Sequence, residues 1–182
     1  QGIGTSATRA EIIKKLNIKH VSTYSLMIEP NTILAYQKIK PINEDIDYKM
    51  YKIITKTLKK YGFNHYEVSN FAKKGYESKH NLTYWNNEEY YGFGPGASGY
   101  IDNIRYDNTR SLTKYFNGCY KDNSEKLTVE LQMDYEIMLG LRKLKGINVK
   151  EFSQKYNSDI FDKYPIKNLL KSKDLLMKKD NL

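Results

Sequence analysis

Only one cysteine, Cys119, occurs in the 182 residues of this chain. That excludes an internal disulfide framework and any iron–sulfur cluster drawing three or four thiolates from these residues. In its setting, Tyr115-Phe-Asn-Gly-Cys-Tyr120, the thiol reads as a small hydrophobe rather than a nucleophile. Long apolar runs are missing too. Nothing approaches the ~18 consecutive apolar residues that span a bilayer, and no charged, apolar, then small-residue N-terminal pattern marks a secretion signal. The expectation is a soluble globular protein of the cytoplasm. Residues Gln1 to Ser6 have no periodicity and are set aside from the fold reasoning.

What is present suffices for one core, or one core with a small satellite, since 40% of the residues are apolar. The net charge of +9 favours anionic partners, whether nucleic acid, a phosphorylated ligand or a carboxylated one. The lysines are dispersed, however, which is the pattern of a diffuse basic surface.

Hydrophobic periodicity orders the chain into an α/β pattern. Thr8 caps a short helix with Ile12, Ile13 and Leu16 on one face, and Ile18 to Leu26 reads as a strand ended by Ile-Glu-Pro-Asn. A helix over 44–61 follows: Asn43 is its N-cap, Glu44 and Asp45 occupy the first turn, and Gly62 closes it. Its apolar stripe comprises Ile46, Met50, Ile53, Ile54, Leu58 and Tyr61, with Thr57 among them. Asn64 to Phe71 reads as a second strand, so the order predicts a βαβ unit in a parallel sheet with functional residues at the strand ends. Tyr24, Glu29 and Glu67 lie there. Further elements are a strand from Tyr100 to Tyr106 and a short helix over 109–117. A helix from Leu127 to Leu144 carries Leu127, Leu131, Tyr135, Met138 and Leu141 on one face, and short helices follow near 149–156 and 166–178. A domain boundary is expected near Asn123, giving domains 1–122 and 123–182.

One stretch gathers chemistry. His80-Asn81-Leu82-Thr83-Tyr84-Trp85 runs through Tyr90 and Tyr91 into Gly92-Phe-Gly-Pro-Gly-Ala-Ser-Gly-Tyr100, combining an imidazole, the only Trp and four glycines. An imidazole can ligate a metal, aromatic rings wall a flat ligand, and glycines let backbone approach it. His80 can equally cap a helix or bond a carbonyl. Gly94-Pro-Gly-Ala-Ser-Gly99 formally matches a dinucleotide fingerprint but lacks the apolar strand before it and the helix after it. A tight turn, or close approach to another ligand, fits better. His20 and His65 read as sheet residues.

Four blocks carry a family resemblance: His20-Val-Ser-Thr-Tyr-Ser-Leu-Met-Ile-Glu-Pro-Asn-Thr32, Gly62-Phe-Asn-His-Tyr-Glu-Val-Ser-Asn-Phe-Ala72, His80-Asn-Leu-Thr-Tyr-Trp85 and Tyr91-Gly-Phe-Gly-Pro-Gly-Ala97. In order and spacing they resemble the C-terminal part of the HemW family, radical S-adenosylmethionine proteins related to oxygen-independent coproporphyrinogen III oxidase. Gly140-Leu-Arg-Lys-Leu-Lys-Gly-Ile147 continues the likeness more weakly. The resemblance implies the closing portion of a partial (β/α) barrel followed by a small helical, winged-helix-like domain, truncated at both ends. It also implies a 4Fe–4S cluster and S-adenosylmethionine held mainly by upstream segments, so that this chain is inactive alone. In this family His-Asn-x-x-Tyr-Trp is associated with haem binding. By resemblance, then, His80 is the metal ligand to haem iron, Tyr84 and Trp85 line the ring, Asn81 orients the imidazole or a propionate, and Tyr24 and Glu29 are further cofactor contacts.

The implied function is a haem chaperone delivering haem to an acceptor protein. The alternative from another class is an oxygen-independent coproporphyrinogen III oxidase. A third reading, nucleic-acid binding, rests on net charge and on Leu169, Leu170, Leu176 and Met177 alternating with lysines. An exposed first strand would permit edge-to-edge association.

Overall fold

The structure is a computed structural model and describes residues 12–13 and 15–182. The helix expected from Thr8 falls largely outside the described residues. The chain divides into two compact units, Gln1–Glu77 and Ser78–Leu182. The division expected near Asn123 falls within a strand that is paired along its length.

The first unit holds strand β1 (His20–Ser22), helices α1 (Ile33–Tyr36) and α2 (Glu44–Lys60), and strands β2 (Asn64–Glu67) and β3 (Asn70–Ala72). Helix α2 starts where the sequence places it, with the Asn43 side chain accepting hydrogen bonds from the Asp45 and Ile46 amides. It packs unevenly. Leu58 is buried with Phe63 and Phe71, and Ile54, Tyr61 and Val21 close around them, whereas Ile46 at the other end is exposed.

The sheet differs from the expected parallel one. Its order is β1-β3-β2, and both pairings are antiparallel. The cause is a turn at Val68-Ser69 that folds the expected second strand into a hairpin. β1 and β2 therefore run the same way but are not neighbours, because fully buried β3 lies between them. The first strand is also shorter than expected. Past Ser22 the chain is irregular, with only Thr23 continuing the ladder by donating to the Ser69 carbonyl.

The second unit comprises α3 (Lys79–Trp85), β4 (Ser98–Ile101), β5 (Ile104–Asn108), α4 (Leu112–Phe116), β6 (Lys121–Lys126), α5 (Val129–Gly140), α6 (Val149–Tyr156), α7 (Ile160–Lys163) and α8 (Ile166–Ser172). Strands β4, β5 and β6 form an antiparallel sheet in that order. Tyr100 to Tyr106 is thus a hairpin, turned by Asp102 and Asn103 in the left-handed region, rather than one strand. β6, Lys-Asp-Asn-Ser-Glu-Lys, has no apolar residue and is exposed throughout, so no periodic signal announces it.

Helix α5 is shorter than expected and turned differently. Thr128 caps it, and Met133, Ile137 and Gly140 face a core completed by Phe152, Ile160 and Ile166. Met138 and Leu141, on the expected face, are exposed. The stripe misleads because the helix uses two sides. Tyr135 turns towards β5, where its ring meets Arg105.

The unequal packing of α2 is testable. Leu58→Ala should cost about 2–5 kcal/mol and Ile46→Ala no more than about 0.5 kcal/mol in urea unfolding. Equal losses would contradict this packing.

Candidate functional site

Helix α3 carries the His80 motif. The Ser78 hydroxyl caps it by accepting from the Asn81 amide at 3.2 Å. His80 is exposed and has no hydrogen-bond partner among the described residues; its one ring contact is edge-on to Tyr84, centroids 4.6 Å apart. Tyr84 meets Tyr90 in the same manner at 4.5 Å. The first of these contacts follows from helical spacing, since residues four apart share a face, whereas Tyr90 comes from beyond the helix, where it bridges to Tyr100. Asn81 and Trp85 occupy the adjacent stripe, and both are half-buried.

At its far end the helix is held by cations on three successive residues. The Arg142 guanidinium lies over the Trp85 ring, 4.5 Å from its centroid. Lys143 Nζ donates to Asn86 Oδ1 at 2.7 Å. Arg105 Nη2 donates to Asn87 Oδ1 at 2.7 Å, with its guanidinium between the rings of Tyr100 and Tyr135. Asn87 is itself buried and turns the chain out of the helix with φ of 52°. Its amide donates to Glu136, which also accepts from Lys155 and Tyr156. Burial lowers the pKa of the Lys143 ammonium, against the raising pull of Glu136.

The glycine segment proves to be a packing device. A Cβ on Gly99 would collide with the Tyr106 ring, and the Tyr106 hydroxyl accepts from the Gly92 amide. Asn108 Nδ2 donates to the carbonyls of Gly92 and Gly94, and Gly94 and Gly96 both have positive φ. These contacts account for the glycines without a nucleotide. Tyr91 and Phe93 on this segment stay exposed, their rings 5.9 Å apart. A cavity of about 260 Å³ beside it is lined by Tyr90, Arg105, Tyr106 and Tyr135.

The other histidines belong to the first unit and are engaged. His20 Nε2 is 2.8 Å from the Tyr66 hydroxyl; His65 bonds Tyr51 and stacks on Phe71. Glu67 is fully buried, with one oxygen accepting from the Ser69 amide. Tyr24 and Glu29 are exposed in that unit. Of the residues singled out in the sequence, the structure joins His80 with Tyr84. Tyr90, from the same stretch, joins them, and the structure adds Arg105, Glu136 and Arg142, of which only Arg142 had a sequence signal, in the Gly140–Ile147 block.

The donor set discriminates between metal groups. A thiolate-held cluster does not fit, because Cys119 is the sole thiol and no cluster of three His, Cys, Asp or Glu side chains able to hold a metal occurs among the described residues. One axial imidazole on a flat ligand needs only a single exposed histidine, and His80 meets that requirement. No helix of the described residues is long and apolar enough to cross a membrane.

Comparison with known proteins gives concordant results. The chain is 43% identical over 149 residues to the haem chaperone HemW of Lactococcus lactis, covering 78% of the chain and 39% of the relative. It is 39% identical over 160 residues to the haem chaperone HemW of Bacillus subtilis, covering 82% and 42%. It therefore spans about two-fifths of the length of these curated relatives. Among solved structures, coproporphyrinogen III oxidase (HemN) from Escherichia coli, a radical SAM enzyme, matches with a TM-score of 0.75 and 16% identity, over 96% of this chain and 45% of that one. That is a likeness of fold. No family model matches the chain.

The Glu136 network implies a pH dependence. Burial first, then the neighbouring Glu136 carboxylate, raises the Tyr156 phenol well above its ordinary value of 10.0. The folded state then keeps a proton that the unfolded chain releases, so stability present below pH 10 is lost as pH rises beyond it. Tyr156→Phe should start less stable at neutral pH, yet lose less of its Tm between about pH 9 and 11. Thermal melts across that range check this, and a slope equal to wild type would contradict it.

Proposed function

We infer that this HemW-like chain, a C-terminal region of the radical S-adenosylmethionine family, takes part in binding haem and passing it to an acceptor protein. The observation that carries the reading is His80, exposed on a capped helix with its ring positioned edge-on by Tyr84 and no hydrogen bond competing for it. A neutral imidazole is an ordinary axial ligand for haem iron, and aromatic neighbours exclude water from the macrocycle. In this reading Tyr84 buttresses the ligand ring and Trp85 flanks the site. Asn81 orients the imidazole or a propionate. The exposed rings of Tyr91 and Phe93 supply apolar surface suited to a flat ligand or its acceptor.

The first unit is read as part of a partial (β/α) barrel, and the helical module after β6 as winged-helix-like. The backbone pairing of Ile147 with Leu182 beside α5–α8 supports the second of these. No cluster-dependent step is assigned to these residues, whose donors do not fit such a group. The oxidase alternative has the likeness of fold in its favour, whereas His-Asn-x-x-Tyr-Trp favours the chaperone.

A haemin titration followed by visible absorption tests the reading, with His80→Ala beside wild type and His20→Ala as control. Saturable one-to-one binding lost only in His80→Ala is expected. Binding that is unchanged in His80→Ala, or absent from wild type, would contradict it.

A further inference from the structure

Arg105 forgoes the ion pair that its register offers. On β5 it stands opposite Glu125 of β6, yet no salt bridge joins the two among the described residues, and Glu125 is exposed. The guanidinium is engaged elsewhere. It lies 4.5 Å from the centroid of the Tyr100 ring and 4.0 Å from that of Tyr135, and its Nε is buried without a partner. An unmet buried donor costs stability, and an opposite charge across the strands would have added some. The pairing of β5 with β6 therefore does not account for where this side chain ends.

What it reaches is the far end of the helix bearing His80, by two routes. Nη2 donates to Asn87 Oδ1 at 2.7 Å, and Asn87 is the buried residue whose positive φ turns the chain out of α3. The second route is Tyr90, which lines the same cavity as Arg105. Burial raises the pKa of the Tyr90 phenol, and the Arg105 guanidinium, by its charge and a hydrogen bond, works against that rise. Tyr90 in turn meets Tyr84 edge-on at 4.5 Å, and Tyr84 meets His80 edge-on at 4.6 Å. Each step from Arg105 to the imidazole is a direct contact. A guanidinium suits this place better than an ammonium, because its planar fork offers donors to two acceptors while its faces stack on rings.

We infer that Arg105 is a positioning residue of the site, setting the orientation of the His80 ring through Tyr90 and Tyr84 and through the Asn87 exit of the helix; this rests on the haem reading of His80. Groups that touch a metal-ligating histidine ordinarily orient it by a hydrogen bond to its second nitrogen. His80 has no such bond among the described residues, so its ring contact with Tyr84 takes that part, and Arg105 governs what stands behind Tyr84.

The test binds haemin to the 182-residue chain in wild type, Arg105→Gln, Arg105→Lys, Tyr90→Phe, Asn87→Gly and the Tyr90→Phe, Asn87→Gly double variant, with His80→Ala as the reference for lost ligation. Titration gives the affinity, electron paramagnetic resonance of the ferric complex gives the geometry at iron, and thermal melts give stability. Wild type should show one imidazole-ligated species. Arg105→Gln should keep that ligation, weaken haemin about three- to fivefold, and broaden or split the resonance into more than one ring orientation. Arg105→Lys keeps the charge without the fork and should fall between the two. Tyr90→Phe keeps the ring and Asn87→Gly keeps the positive φ, so each removes one acceptor only. Together they should reproduce Arg105→Gln, and adding Arg105→Gln to them should change nothing further. If Arg105→Gln does not fold, the double variant is read in its place by the same criterion. A resonance identical to wild type in Arg105→Gln, whether or not its Tm or affinity falls, overturns the inference and leaves His80 as ligand. A wild-type spectrum no different from that of His80→Ala overturns the iron-ligand reading and the inference with it.

Discussion

Helix α3 has seven residues, too few to persist in water without tertiary support. Its existence depends on how its two ends are held. Ser78 caps the first turn, and Arg142, Lys143 and Arg105 engage Trp85, Asn86 and Asn87 in succession at the last. Cations at that end also complement the negative pole of the helix dipole. The result is a short rigid platform whose outer stripe is His80 and Tyr84. The imidazole is presented to solvent edge-on to Tyr84, which in turn meets Tyr90 edge-on.

The same clamp explains why the helical module belongs with the small sheet. Arg105 leaves β5 to lie between Tyr100 and Tyr135, and Glu136 gathers Asn87, Lys155 and Tyr156. Tyr135 and Glu136 are adjacent on α5, whose opposite side packs Met133 and Ile137 in the core. A change in that core is therefore one helix away from the platform. The glycine segment contributes differently, by letting Tyr106 and Asn108 pin a loop that keeps Tyr91 and Phe93 at the surface.

Much of this was legible in the sequence. The caps of α2, the C-terminal part of its stripe and the short helices after Gly146 follow from local rules of capping and periodicity, and residue type alone singled out the stretch around His80. What escaped were features of long-range origin. The Val68-Ser69 turn carries no glycine or proline, so a hairpin read as one strand and a parallel sheet was expected where β3 intervenes. β6 has no apolar alternation, and its partner is supplied by β5. The stripe of α5 was misassigned because Tyr135 is occupied by an arginine thirty residues earlier in the chain. Arg142 appeared only as part of a resemblance block, since nothing local marks a guanidinium that will stack on a distant indole.

The central claim is that the His80 imidazole, held by Tyr84, is a ligand to haem iron. Its most direct test is electron paramagnetic resonance of the ferric haem complex of His80→Gly, with and without added free imidazole. The account predicts that the wild-type imidazole-ligated signal disappears in His80→Gly and returns when imidazole fills the space the side chain left. A His80→Gly spectrum identical to wild type before any imidazole is added would contradict it.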